Sequence, residues 1–364
     1  MSGSCGPVPA LDQGGPDRAP GLARVRWGEG GAWLVGGRAD RRAVLDDPAT
    51  FSDDLAGVDL AGLGLGPEQH DLLRSCDRAD PAGLRAALAG EFSVLRLHRL
   101  RPRVEGIVGE RLDAVQRGGP GVDLMDEFAL PVPTLVVCEL LGVPHADREA
   151  FQRRAHGLLD PDVPAARRVD LVAELRGYLA ELVDLARTEP VGGLVGRLVA
   201  QRGDALGRDE VSGLGVRLLV AGHGTVAAVL GLGVHALLSH PGQLAALAAD
   251  PRRVDTAVEE LLRWLGVVAA GAVRVATRDT EIAGTPVPAG DLVLCPPRSD
   301  GADLAQLAFG LGLHRCVSAP LARVQLRVAF PALLARFPDL RAAGPARLVG
   351  AGRPRAVREL PIAW

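Results

Sequence analysis

The chain has 364 residues, 48% hydrophobic and 23% charged, with 46 Gly and 27 Pro, an apolar share that supports a large core and excludes a disordered chain. A net charge of −3 at pH 7 excludes a broad polyanion-binding surface, so nucleic acid is not an expected partner. All 41 basic residues are Arg, and neither Lys nor Asn occurs, which points to a GC-rich coding sequence.

Residues 1–20 are rich in Gly, Pro and Asp and read as a flexible arm without the basic-then-apolar pattern of a leader. No long charge-free apolar run follows, so a cytoplasmic protein with no membrane association is expected. Residues 22–50 hold short alternating patches such as Ala32-Trp33-Leu34-Val35, which predict a strand pair. Three- and four-residue apolar spacing then predicts helices over 83–116, 123–142, 146–158, 165–187 and 207–240. In the last of these, Leu214, Leu218, Leu219, Val226, Val229, Leu230 and Val234 make a central helix, about 207–238, apolar on most of its circumference. Such a helix belongs in a core.

A further helix is predicted over 251–265, with strand-like pieces near 272–276, 280–283 and 291–295 and turns at Pro286 and Pro288. A last helix follows Cys316 to about Arg336, and a strand pair closes the chain. No internal repeat or linker divides it. Residues 21–364 therefore read as a single domain, mainly α with a small β portion.

The five cysteines, Cys5, Cys76, Cys138, Cys295 and Cys316, are scattered and form no C-x-x-C pair, so at most one is expected to carry chemistry. Cys316 is the candidate. It ends Phe309-Gly310-Leu311-Gly312-Leu313-His314-Arg315-Cys316, where the glycines permit a tight turn and the following helix favours a thiolate at its N-terminus. By residue chemistry alone, a metal-ligating thiolate and a buried structural Cys both suit this segment.

The segment resembles the haem-thiolate signature of the cytochrome P450 family, F-x-x-G-x-x-x-C-x-G. Phe309, Gly312 and Cys316 match, and Ser318 replaces the last glycine. The resemblance covers roughly residues 70 to 340 and implies the P450 fold with haem b as cofactor. It makes Cys316 the axial ligand of the iron, places Phe309 beside the sulfur and puts His314 at a haem propionate. Glu260-Leu261-Leu262-Arg263 is similar to the family's E-x-x-R ion pair, though by spacing alone it reads as an ordinary surface pair. Arg274 and Arg85 resemble the propionate-binding arginines, a role that suits a guanidinium. Arg323 also stands at a matching position in the helix after Cys316.

The chain departs from the family at several points. Ala221-Gly222-His223-Gly224-Thr225 resembles the oxygen-binding groove A-G-x-E/D-T, with the acid replaced by Gly224. Thr225 keeps the hydroxyl, and His223 is the one titratable side chain there. Pro81 stands where the family has a second propionate-binding His, and the segment between Pro288 and Phe309 is short.

The resemblance implies a substrate pocket lined by the loop at 62–80, Val220, Ala221, Val267, Val268, Ala269 and Ala270, suited to a small apolar or bulky molecule. The implied activity is monooxygenase-like oxidative tailoring of a natural product, by hydroxylation, epoxidation or ring closure. Ferredoxin and ferredoxin reductase are the implied electron donors, with Arg96, Arg99, Arg101 and Arg315 as a basic docking patch, and a carrier protein is a further partner. Two alternatives stand beside this. One is a haem-thiolate catalyst that is not a monooxygenase, acting by peroxide-driven oxidation, nitrene transfer or rearrangement. The other is a haem-free binding or recruitment scaffold.

Overall fold

The computed structural model describes residues 21–27, 30–52, 88, 90–160, 162–203, 206–265, 272–295, 309, 316–349 and 356–364. They fall into a strand-rich unit, drawn from 1–74, 259–316 and 350–355, and a helix-rich unit, drawn from 75–258, 317–349 and 356–364. The mainly α architecture with a small β portion matches the expectation from sequence.

In the strand-rich unit, β1 (Leu22–Trp27) and β2 (Gly30–Val35) form the expected antiparallel pair, with Val25 opposite Ala32. After α1 (Arg38–Asp46) come β3 (Phe51–Ser52), β4 (Ala272–Ala276), β5 (Thr280–Ile282), β6 (Thr285–Val287) and β7 (Leu292–Cys295). The main sheet runs β1-β2-β7-β4-β3, and β5 and β6 make a separate hairpin. Strand alternation sorts the side chains. Val35, Phe51, Ala276, Val293 and Cys295 cluster with Val44 and Leu45 of α1, whereas Ala32, Val273 and Leu294 form a second cluster. Cross-strand pairing of Arg274 with Val293 puts that guanidinium on the face of the first cluster. Helix α1 was not expected, because its buried positions include only two apolar residues, Val44 and Leu45, beside Arg41.

The helix-rich unit opens on α2 (Val94–Gly118), α3 (Pro131–Leu141), α4 (Arg148–Leu159) and α5 (Ala165–Thr188). It continues through α6 (Gly193–Arg202), α7 (Arg208–Ser239) and α8 (Pro241–Ala249). Helix α9 (Val254–Leu265) begins in this unit but its Glu260 and Arg263 belong to the strand-rich one, and α10 (Ala319–Arg336), after Cys316 in the sequence, belongs to the helix-rich unit. Short strands β8 (Arg341–Ala342), β9 (Arg347–Val349), β10 (Ala356–Glu359) and β11 (Ile362–Ala363) pair as β9 with β10 and β8 with β11.

The helix expected over 83–116 is broken within the described residues. Residues 90–93 turn, Ser93 is extended at φ −66° and ψ 155°, and the regular helix begins at Val94. The stretch 123–142 is likewise split, because Pro131 has no N–H to give. A single π turn, Met125–Ala129, bonded from Leu130 N to Met125 O at 3.0 Å, precedes α3. The short helices α6 and α8 were not foreseen.

Helix α7 is the core helix its composition predicts. Leu214, Leu219, Val226, Leu230 and Val234 are buried, each apolar side chain contributing about 1.5–3 kcal/mol when fully buried. Helices α3, α5 and α10 pack on it. It is the one described helix long and apolar enough to cross a membrane, but two-thirds of its most apolar window is buried, as in a core helix. At Gly231 the Met125 sulfur of the π turn occupies the space a Cβ would need, so a side chain there would require Met125 to move.

Candidate active site

Cys316 donates its backbone N–H to the carbonyl of Phe309 at 2.7 Å. This bond closes the loop between the aromatic residue and the thiol. Cys316 is half-buried and lies outside any disulfide. Three residues on, α10 begins with Pro320 in its first turn, where a missing N–H costs nothing, and Ala322 donates to the Ser318 carbonyl at 3.0 Å. His314 and the loop glycines lie outside the described residues, as do Arg85, Val267, Val268, Ala269 and Ala270.

On α9, Arg263 Nε donates to Glu260 Oε2 at 2.7 Å, and Nη2 donates to Oε1, giving the bidentate pair expected from the spacing. The hydrogen bond from Arg263 holds the Glu260 carboxyl below its ordinary range. On β4, Arg274 is only 5% exposed, and its Nη1 donates to the Val273 carbonyl at 2.8 Å. A guanidinium sunk beside an apolar cluster suits a carboxylate-bearing ligand.

Helix α7 is buried on either side of one exposed turn. Ala221 and Thr225 face outward and Val220 is half-buried, whereas 211–216 and 226–234 are buried. Thr225 Oγ1 donates to the Ala221 carbonyl at 2.8 Å, which fixes its rotamer. His223 points elsewhere. It is 2% exposed and stacks on His156 of α4 with ring centroids 5.3 Å apart and planes 19° apart. Burial, and to a lesser degree His156, pushes its pKa down to about 3. His223 is therefore a neutral, inward-facing ring and supplies no group titrating near neutral pH.

Gly224 lies against Leu159 of α4. A Cβ at 224 would stand 3.0 Å from Leu159 Cδ2 and 3.4 Å from Cδ1. Reading the sequence missed both His156 and Leu159, since nothing in α4 itself marks either one. Only the placement of α4 on α7 brings them beside His223 and Gly224.

Among the described residues there is no cluster of three or more His, Cys, Asp or Glu that could hold a metal. A lone thiol such as Cys316 fits an iron whose other donors arrive with it, as in a porphyrin, and Arg274 suits the porphyrin's carboxylates. These features fit a haem-thiolate protein.

No protein-family model matches the chain. It is 40% identical over 382 residues to cytochrome P450 105C1 of Streptomyces sp, covering 98% of this chain and 95% of that protein. It is also 40% identical over 372 residues to cytochrome P450 monooxygenase PikC of Streptomyces venezuelae, covering 95% and 89%. The solved complex of the X-domain and OxyB from teicoplanin biosynthesis superposes with a TM-score of 0.81 at 35% identity, covering 95% of each chain. The chain belongs to the cytochrome P450 family; it is an oxidoreductase with haem as cofactor.

Proposed function

We propose that this enzyme oxidises an apolar small molecule in natural-product tailoring, with Cys316 as the axial thiolate. The observation that carries the reading is the backbone hydrogen bond from Cys316 N–H to the Phe309 carbonyl, which joins the two residues that match the family signature. Arg274 would hold a propionate, with Arg85 and His314 assigned the same task by family resemblance, and Phe309 would shield the sulfur. Bound haem supplies thiolate-supported activation of an oxygen donor. On α7, Ala221 leaves room over the groove and Thr225 Oγ1 is the group able to hold or pass a proton. His223 takes no part in that transfer, since it faces α4 and stays neutral. Val220, with Val267, Val268, Ala269 and Ala270 from the sequence, would contribute apolar walls.

PikC is named a monooxygenase, and OxyB is named in teicoplanin biosynthesis with an X-domain. Those names support monooxygenation of a natural product and a protein-borne substrate as part of the proposal. Ferredoxin and its reductase would supply electrons. The first turns of α2 offer Arg96 and Arg99, which make no ion pair among the described residues, whereas Arg101 is paired with Glu105 at 2.9 Å. A cytoplasmic location goes with this reading.

One observation favours a second reading, peroxide-driven or rearrangement chemistry. Position 224 carries no acid, and an apolar side chain, Leu159, stands beside it. Turnover with ferredoxin, reductase and NAD(P)H against turnover with peroxide alone tests the choice. Product only with electrons and dioxygen supports the first reading; product only with peroxide supports the second. A reduced, carbon-monoxide-treated preparation without the Soret band of thiolate-ligated haem overturns both.

A further inference from the structure

The turn of α7 at 220–225 combines features that weaken a helix. Gly222 and Gly224 lower helix propensity, and Thr225 bonds back to the Ala221 carbonyl at 2.8 Å, a bond that favours bending. Ala221 and Thr225 are exposed and Val220 is half-buried, so His223 is the one buried side chain among these six residues. Its Nε2 has no hydrogen-bond partner among the described residues. The ring is therefore held by packing, of which the stack on His156 of α4 is part. His156 is itself steadied from a third helix, its Nε2 standing 3.5 Å from Thr134 Oγ1 of α3. At 3.6 residues per turn, position 223 lies on the opposite side of α7 from 221 and 225. Whatever fixes His223 also fixes the direction in which Thr225 faces.

We propose that His156 is a positioning residue: its ring, stacked on His223, pins the two-glycine turn of α7 and so holds the Thr225 hydroxyl in place. The pin needs a flat ring at 156 and no proton transfer. Without that ring the turn should open locally, while the buried stretch at 226–234 stays closed. The pin stands on the packing of the three helices, whereas its service to Thr225 rests on the reading of that hydroxyl as the proton-handling group over a haem-thiolate centre.

Two measurements separate these claims. Hydrogen–deuterium exchange of the purified protein compares the amides at 220–225 with those at 226–234 in the wild type and the His156→Ala, His156→Leu and His156→Phe variants. His156→Ala should speed exchange at 220–225 by about tenfold or more and leave 226–234 unchanged, and His156→Phe, which restores a flat ring, should return it to within about twofold of wild type. Exchange at 220–225 within about twofold of wild type in His156→Ala overturns the pin. An equal rise along both stretches, or no rescue by His156→Phe, overturns it too. Should His156→Ala not fold by circular dichroism, His156→Leu carries the same comparison. The second measurement is the infrared C–O stretch of the ferrous carbon monoxide complex, which senses neighbouring dipoles. Thr225→Val should shift the band, and His156→Ala should broaden or shift it in the wild type but not in the Thr225→Val background. An effect of His156→Ala that is the same in both backgrounds overturns the link to Thr225, as does a band unmoved by Thr225→Val. If the wild type lacks a thiolate haem spectrum, the reading of Cys316 falls and the link falls with it, while exchange still decides the pin. An intact spectrum with unmoved exchange removes only the role of His156.

Discussion

His223 and His156 stack 5.3 Å apart inside the helix-rich unit, and His223 Nε2 is buried with no hydrogen-bond partner among the described residues. His156 Nε2 stands 3.5 Å from Thr134 Oγ1, whose hydroxyl donates to the Leu130 carbonyl at 2.9 Å. Burial lowers both imidazole pKa values, that of His223 to about 3.

The stack makes stability depend on pH. An unfolded His takes up a proton near its ordinary 6.5, while the folded His223 resists until about 3, so the unfolded state binds more protons between those values. The contribution is fully present above 6.5 and is lost as pH falls toward 3, with a limiting slope of about 1.4 kcal/mol per pH unit for each such group. Thermal midpoints measured from pH 7 to pH 4 should fall for the wild type. They should fall less steeply for His223→Phe, which keeps a stacking ring without the buried nitrogen. Equal slopes would contradict this account.

A second prediction concerns Glu91 and Arg197. Glu91, 6% exposed, accepts from Arg197 Nε at 3.1 and 2.9 Å and from Nη2 at 2.5 Å, tying the residues before α2 to α6. Arg197→Ala strands a buried carboxylate and should cost about 3–5 kcal/mol in urea unfolding. The double replacement Glu91→Leu with Arg197→Leu should cost less than Arg197→Ala alone, because no charge is left unpaired.

Cys316→Ala should abolish the thiolate Soret band of the reduced carbon monoxide complex. Circular dichroism should be unchanged, since the side chain is only half-buried and the bond to the Phe309 carbonyl comes from its backbone. An unchanged spectrum would remove Cys316 as ligand.

Thr225→Val deletes the hydroxyl proposed to handle a proton and keeps the volume. Turnover driven by electron donors should drop on the order of 10²-fold while Thr225→Ser keeps most of it. The ferrous carbon monoxide spectrum should be the same in all three proteins. Equal turnover of the Val variant and the wild type would show that the hydroxyl carries no proton in the reaction.

Several local features around these residues are legible in the sequence. The i,i+3 pair of Glu260 and Arg263 and the apolar circumference of α7 are local patterns, and local geometry follows from residue type and spacing. The strand assignment of Arg274 was equally local. What escaped was α1, whose buried face holds an arginine, and the breaks at residues 90–93 and at Pro131.

By itself, the sequence determined the family and the absence of an acid at Gly224. The tertiary structure decided what that absence means locally. His223 turns inward because His156 waits on another helix, Leu159 takes the space beside Gly224, and Glu91 finds Arg197 across 106 positions. Such pairings depend on where one helix lands on another, and that is set by the packing of the whole core, which no short pattern encodes.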